Sequence, residues 1–276
     1  MTDLGPGPEA AVAGPSGADR DAWQVPEFEC HELAPRASAV CVLIPVLNEG
    51  ERIIGQLQRM RASDGIPDIL IADGGSDDGS MESERLEQLG VRTLLIKKGP
   101  GRVGTQLRIG FAYALDQGYE GVVTIDGNGK DDVAAIPDFV AALRGGLDFV
   151  QGSRFVAGGE AVNTPLTRWL AIRVLHAPLV SLAAGFRYTD TTNGFRAYSR
   201  RLLENPAVQP FRDVFRDYEI LWYLAARSAR TGHRVGELPV RRAYPDRGPT
   251  PTKIDFAGGV GIIAELGRLV LGRFDP

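Results

Sequence analysis

The chain has 276 residues, 43% of them hydrophobic, and a formal net charge of −4. This is enough apolar material for one large α/β domain, and the charge gives no global case for nucleic-acid binding. Two cysteines, Cys30 and Cys41, are too few and too isolated for a disulfide framework or a zinc site.

Residues 1–25 are rich in Gly, Pro, Ala, Asp and Ser without any period, which predicts a disordered extension. They have neither a basic n-region nor an apolar h-region, so no signal peptide is expected and the cytoplasm is the default compartment. Order should begin near Trp23, with Trp23 and Phe28 anchoring a segment that wraps the domain.

Residues 39–47, AVCVLIPVL, read as a central strand, and a helix follows through Arg61 with Ile53, Ile54, Leu57 and Met60 on one face. A second strand spans 68–73. Ser80 is placed to cap a helix over 81–89 that Gly90 ends. A third strand at 91–97 leads through a glycine loop into a helix at 103–116. The fourth strand, 122–126, ends abruptly in Asp126, Gly127, Asn128, Gly129 and Lys130. A helix near 132–143 and a strand at 148–150 complete a strict β/α alternation.

Alternation predicts a mostly parallel sheet with helices on both faces. Beyond residue 155 the pattern changes: a helix at 167–184 kinked at Pro178, a strand at 191–199, a helix at 214–230 and a strand at 234–244. These read as elements completing a cleft. The runs 169–186 and 256–274 both contain charged residues and fall short of a membrane span. Each is compatible with a membrane-surface position or with packing on the domain core. Arginines cluster at 227–234 and 241–247, facing anionic lipid or water.

Asn48–Glu49, Asp73 with Asp78, Gly101–Gly104 and Asp126–Asn128 all follow carboxyl ends of predicted strands, so they should converge on one crevice. Asp126 and Asn128 offer hard oxygen ligands of the kind a divalent cation uses to hold phosphates. Gly99, Gly101 and Gly104 match a dinucleotide fingerprint, but in the third βα unit rather than the first, where that motif belongs.

IPVLNEGERI, IADGGSDDGS, VVTIDGNGKDD, GSRF and DTTNGFRAYSR, followed by Gly, Thr and Lys at 248–253, together resemble the family 2 glycosyltransferases of GT-A fold, in the polyprenyl (dolichol)-phosphate mannosyltransferase-like branch. The resemblance covers residues 38–254. It implies an α/β GT-A (Rossmann-like) catalytic domain at 26–276, with a nucleotide-binding half at 39–155, an acceptor half at 156–254 and a C-terminal helix at 255–276.

The implied activity is inverting sugar transfer from a GDP- or UDP-sugar to a polyprenyl phosphate, a polysaccharide or a small metabolite. A sugar-phosphate nucleotidyltransferase and a non-catalytic nucleotide-binding relative are the alternatives. By the resemblance, Pro45, Glu49 and Asp73 hold the nucleoside, Asp73 accepting from the base, and Gly104 lets the backbone approach it. Asp126 and Asn128 bind Mg²⁺ or Mn²⁺. Arg154, Arg168 and Lys253 balance phosphate charge, and Asp190, Asn193 and Gly194 line the sugar or acceptor side.

Leu47, Gly74, Asn128 and Lys130 depart from the family pattern, and Lys130 puts a cation where it could partly replace a metal. Glu219, a carboxylate on an apolar helix, reads as a general base for a hydroxyl acceptor or as an arginine's salt-bridge partner, with Asp217 as the alternative base. His176 reads as a satisfied core histidine without a role. The membrane helices found in some relatives are not expected here, so either a peripheral enzyme at the inner face of the membrane or a soluble one is expected.

Overall fold

The computed structural model describes residues 20, 22–245 and 256–276, and the side chains of 256–260 are left aside. The expected disordered extension falls mostly on residues 1–19 and 21, and Lys253 falls within 246–255, all outside the described residues.

The first half follows the expected alternation: β1 (Phe28–Glu32), β2 (Val40–Val46), α1 (Glu51–Arg61), β3 (Asp68–Asp73), α2 (Ser83–Gln88), β4 (Val91–Lys97), α3 (Val103–Asp116), β5 (Gly121–Thr124), α4 (Ile136–Arg144) and β6 (Phe149–Ser153). The second half adds β7 (Glu160–Val162), α5 (Leu166–Leu170), α6 (Ala177–Ala184), β8 (Arg196–Ser199), α7 (Arg200–Leu203), α8 (Glu219–Arg230), β9 (Val235–Pro239), β10 (Arg241–Ala243) and α9 (Phe256–Val270).

Eight strands form one sheet in the order β1-β4-β3-β2-β5-β8-β6-β9, and β7 and β10 form a small parallel pair. β4, β3, β2 and β5 run parallel, as do β6 and β9. β8 is inserted antiparallel between β5 and β6, and β1 closes one edge antiparallel to β4.

Alternate residues of β2 feed two cores, as a strand covered on both faces requires. Cys41 and Leu43 pack with Leu107, Phe111 and Leu115 of α3, and with residues of α6, α8 and α9. Val42 and Ile44 pack with Ile53 and Leu57 of α1 and Phe139 of α4. Trp23 stacks on Phe211 at 3.9 Å, so the early segment is anchored as expected.

Several boundaries differ from the sequence reading for local reasons. Ser80 does not cap α2, because its hydroxyl donates to Asp78 Oδ1 at 2.6 Å and the helix starts at Ser83. At Pro178 the helix is not broken: a π-helical segment at Ala171–His176 runs directly into α6, with the proline in its first turn. Residues 191–195 are loop, held by Asn193 Oδ1 accepting from the Phe195 N–H at 3.1 Å. The strand expected at 234–244 breaks at Val240, sending β9 to the main sheet and β10 to β7. The arginine clusters are neither simply solvated nor arrayed on one face: Arg227 and Arg230 meet Asp275, Arg241 meets Glu160, and Arg242 is buried.

Candidate active site

The carboxyl edge of the parallel strands opens into a cleft of about 790 Å³. Its walls include Pro45–Leu47 and Glu49 after β2, Gly74 after β3, Lys97 and Gly101–Val103 around the end of β4, Asp126–Asn128 and Lys130 after β5, and Arg154 after β6. The predicted convergence of loops is therefore observed. From the second half come Arg168, Ala171, Ile172, Leu175, His176, Thr192, Asp217, Tyr218, Arg242 and Tyr244, with Ile262, Ile263 and Leu266 of α9.

The first two loops are stitched together. Asn48, in a left-handed conformation at φ 51°, accepts from the Asp77 N–H at 3.0 Å, and its own N–H donates to Ser76 Oγ at 2.9 Å. Asp78 accepts from the Gly50 N–H at 2.8 Å. Asp73 is 2% exposed, and its carboxylate accepts from the backbone of Gly75 and Ser76 and from the Ser76 hydroxyl. It organises its own loop and does not line the cleft; Gly74 and Gln106 stand there instead. Gln106 Nε2 ties β2 to β3 by donating to the carbonyls of Val46 and Ala72, both at 2.7 Å.

Gly104 serves a close approach of a different kind from the one expected. A Cβ there would lie 2.6 Å from the Asp217 carbonyl, so the glycine lets α3 start against the chain at 216–217. The Arg102 N–H donates to the Arg216 carbonyl at 2.8 Å, and the Arg102 side chain meets Asp217 at 3.2 Å. The glycine loop is thus clamped to the segment that precedes α8.

At the floor, Asp126 Oδ2 accepts from Arg242 Nη2 at 2.8 Å and from Asn128 Nδ2 at 3.3 Å. Arg242 also donates to the buried Asp131 and to Asn193 Oδ1 at 3.2 Å. Burial alone would raise the Asp126 carboxyl, but the charge and hydrogen bond of Arg242 outweigh it and hold the group below its ordinary range. For Asp131, burial outweighs Arg242 and pushes the carboxyl up. Gly194 lies directly beneath Asp126: a Cβ there would overlap Oδ1 and sit 3.0 Å from Cγ.

Arg154 is held by Asp190 through contacts of 2.6 and 3.0 Å, and Asp190 is fully buried. Asp190, read from sequence as catalytic, therefore acts on the cleft through Arg154. Arg168 Nη1 donates to the Tyr244 hydroxyl at 2.8 Å, and Lys130 lies over the Tyr244 ring at 5.0 Å. Burial and then the charge of Arg242 lower the Lys130 ammonium. Burial would raise the Tyr244 phenol, but Arg242 and Arg168 outweigh it and bring it down.

Glu219 does not line the cleft. Its carboxylate accepts from the N–H groups of Arg216 and Asp217, the latter at 2.7 Å, and so ties down the turn that leads into α8. This is neither the unpartnered carboxylate nor the arginine salt bridge expected; Asp217 and Tyr218 reach the cleft in its place.

Arg242 was missed because it stood in a run of arginines. β10 exposes Arg241 and buries Arg242, a difference that two adjacent arginines do not show in the sequence. His176 is buried as expected, with Nδ1 bonded to Thr191, yet it also lines the cleft.

No family model matches the chain. It is 31% identical over 209 residues to the undecaprenyl-phosphate mannosyltransferase of Micrococcus luteus, covering 73% of this chain and 82% of that protein. It is likewise 31% identical over 234 residues to the dolichyl-phosphate hexose transferase of Haloferax volcanii, covering 84% and 94%. The chain belongs to the family 2 glycosyltransferases, in their polyprenyl-phosphate mannosyltransferase-like branch.

The fold agrees. Glucosyl-3-phosphoglycerate synthase from Mycobacterium tuberculosis, solved with Mn²⁺, UDP and phosphoglyceric acid, superposes with a TM-score of 0.53 at 18% identity, covering 85% of this chain and 78% of that one. This glycosyltransferase thus has the GT-A fold. The nucleotidyltransferase and dinucleotide readings give way. No helix among the described residues is long and apolar enough to cross a membrane.

Proposed function

We propose that the enzyme transfers a sugar, with inversion, from a nucleoside-diphosphate sugar to a polyprenyl phosphate. The observation that carries the acceptor is the composition of the far wall. Arg154 and Arg168 stand beside Ala171, Ile172 and Leu175 of the π-helical segment and Ile262, Ile263 and Leu266 of α9. That apolar wall continues outward into Leu166, Val174 and Leu182, which are 71%, 69% and 66% exposed, and Ile263, which is 50% exposed. A cationic floor with an apolar ramp to the surface suits a lipid phosphate, its head on the arginines and its chain along the ramp.

In this reading Pro45, Leu47, Glu49 and Gly74 accommodate the nucleoside, and the diphosphate faces Lys130, Arg154, Arg168 and Arg242. Lys253 is proposed to balance phosphate charge. Asn193 and Gly194 set the position of Asp126, and Asp190 sets that of Arg154.

Among the described residues no group of three or more His, Cys, Asp or Glu gathers around a common point. One carboxylate and one amide nonetheless fit a Mg²⁺ or Mn²⁺ that takes most of its ligands from phosphates and water. Asp126 and Asn128 would hold it, and it would supply charge stabilisation for the leaving diphosphate. The bond from the anomeric carbon to the donor β-phosphate oxygen breaks, and one to an acceptor phosphate oxygen forms. An ionised phosphate needs no general base, which agrees with Glu219 being spent on the N–H groups of Arg216 and Asp217.

The test is transfer from radiolabelled GDP-mannose and UDP-glucose to a short polyprenyl phosphate, with 3-phosphoglycerate as the competing acceptor. Label in the organic phase is expected, and label appearing only in the phosphoglycerate product would overturn the lipid reading. A Mn²⁺-dependent rise in melting temperature with GDP or UDP, lost in Asp126→Ala, tests the metal.

A further inference from the structure

His176 is 7% exposed and lines the cleft. Its Nδ1 lies 2.7 Å from the Thr191 hydroxyl, and its ring packs edge-on against Trp222 at a centroid distance of 4.9 Å. The ring is therefore held on two sides. Its Nε2 is buried and has no hydrogen-bond partner among the described residues. An unmatched buried nitrogen beside a cavity is costly unless a ligand completes it.

We infer that His176 Nε2 reads a hydroxyl of the transferred sugar and so helps to set which sugar the enzyme accepts. The inference rests on the reading of the cleft as the sugar-transfer site. Position supports it. Thr191 leads into Thr192, which lines the cleft, and then to Gly194 beneath Asp126. His176 thus lines the cleft against the same 191–194 segment that carries Gly194 beside Asp126.

Chemistry narrows the partner. Burial, then the nearby charge of Arg196, brings the imidazole down to a pKa of about 3, so it is neutral at physiological pH and does not add to the arginines facing the phosphates. With Nδ1–H donating to Thr191, Nε2 is an acceptor; with the Thr191 hydroxyl donating, Nε2 carries the hydrogen. A sugar hydroxyl satisfies either tautomer. A phosphate oxygen satisfies only one, and a polyprenyl chain satisfies neither.

The test uses the full chain carrying nitrogen-15-labelled histidine. It has 3 histidines, and the His176 signals are those lost in His176→Gln. GDP and UDP are titrated first, then GDP-mannose and UDP-glucose. The Nε2 resonance is expected to move with a nucleotide sugar and to stay in place with the parent diphosphate. In parallel, His176→Leu and His176→Gln are assayed on UDP-glucose against UDP-galactose and on GDP-mannose against GDP-glucose. The ratio of kcat/KM within the productive pair should collapse by about tenfold or more, with GDP or UDP affinity unchanged. An Nε2 that ignores the sugar, or variants that keep the wild-type ratio, would overturn the inference while leaving the transferase reading in place. If neither diphosphates nor nucleotide sugars bind, both readings fall.

Discussion

Arg242 bridges Asp126 and Asp131, so a single guanidinium pairs with both the carboxylate that faces the cleft and the one sealed behind it. Asp131 is 2% exposed, whereas the Asp126 side chain is 31% exposed. Removing the arginine strands a buried charge. Arg242→Met is expected to cost about 3–5 kcal/mol in urea unfolding, the usual penalty for breaking a buried pair from one side. Arg242→Lys should lose less. An unfolding midpoint unchanged in Arg242→Met would mean that the bridge carries no stability.

Gly194 separates placement from stability. Its φ is not in the left-handed region, so alanine is tolerated by the backbone, but the new methyl must displace the Asp126 carboxylate. Gly194→Ala is expected to fold and to lose about 10²-fold in kcat, as misplacement of a reacting-site group by about 1 Å can do. Transfer assays with a parallel melting curve check both halves. Full activity would show that the position of Asp126 is not critical.

Glu219 separates a structural carboxylate from a base. Loss of a general base typically costs about 10²–10⁴-fold in rate. Loss of the acceptor for two backbone N–H groups in the turn before α8 costs about 1–3 kcal/mol of stability. Glu219→Ala should therefore melt earlier yet keep kcat within about threefold, well short of the loss a base would give. A stable but inactive Glu219→Ala would restore the catalytic reading.

His176 also makes stability depend on pH in a defined direction. The unfolded imidazole takes a proton near 6.5, whereas the folded one refuses it down to about 3. Between those values the unfolded state binds more protons, so stability falls as pH drops below 6.5. The slope contributed by this group is about 1.4 kcal/mol per pH unit. Thermal melts across that range should show a shallower acid decline for His176→Gln than for the wild type. Identical slopes would mean that the ring gains its proton in the folded state.

The parallel half of the fold was legible because its strands are nearly pure runs of buried apolar residues ending in polar loops. Asp126, Asn128, Glu49 and Arg154 stand at or just after such strand ends, Pro45 and Arg168 came from the family resemblance, and all six line the cleft. What misled was the direction of individual side chains. Asp73 sits at a strand end like Asp126 but turns back onto its own loop. Glu219 looked costly on its apolar helix until the chain before α8 supplied two N–H donors. Arg242 and His176 depend on a strand break and a π turn, neither of which has a strong local sequence signal.

The antiparallel β8 has a consequence for how the enzyme is made. β5 pairs with it at Gly121↔Ser199 through Thr124↔Arg196, and β6 reaches β5 only through it. The strands from β2 to β5 assemble from neighbouring βα units, but the far side of β5 stays open until Arg196 has been synthesised. The stretch that brings Gly194 under Asp126 arrives with the same strand. Loop closure of this length is slow compared with local pairing. The nucleotide half should therefore form early, with β5 as a temporary sheet edge, and the chemical centre should be completed last, when β8 slots in and closes both the sheet and the floor of the cleft.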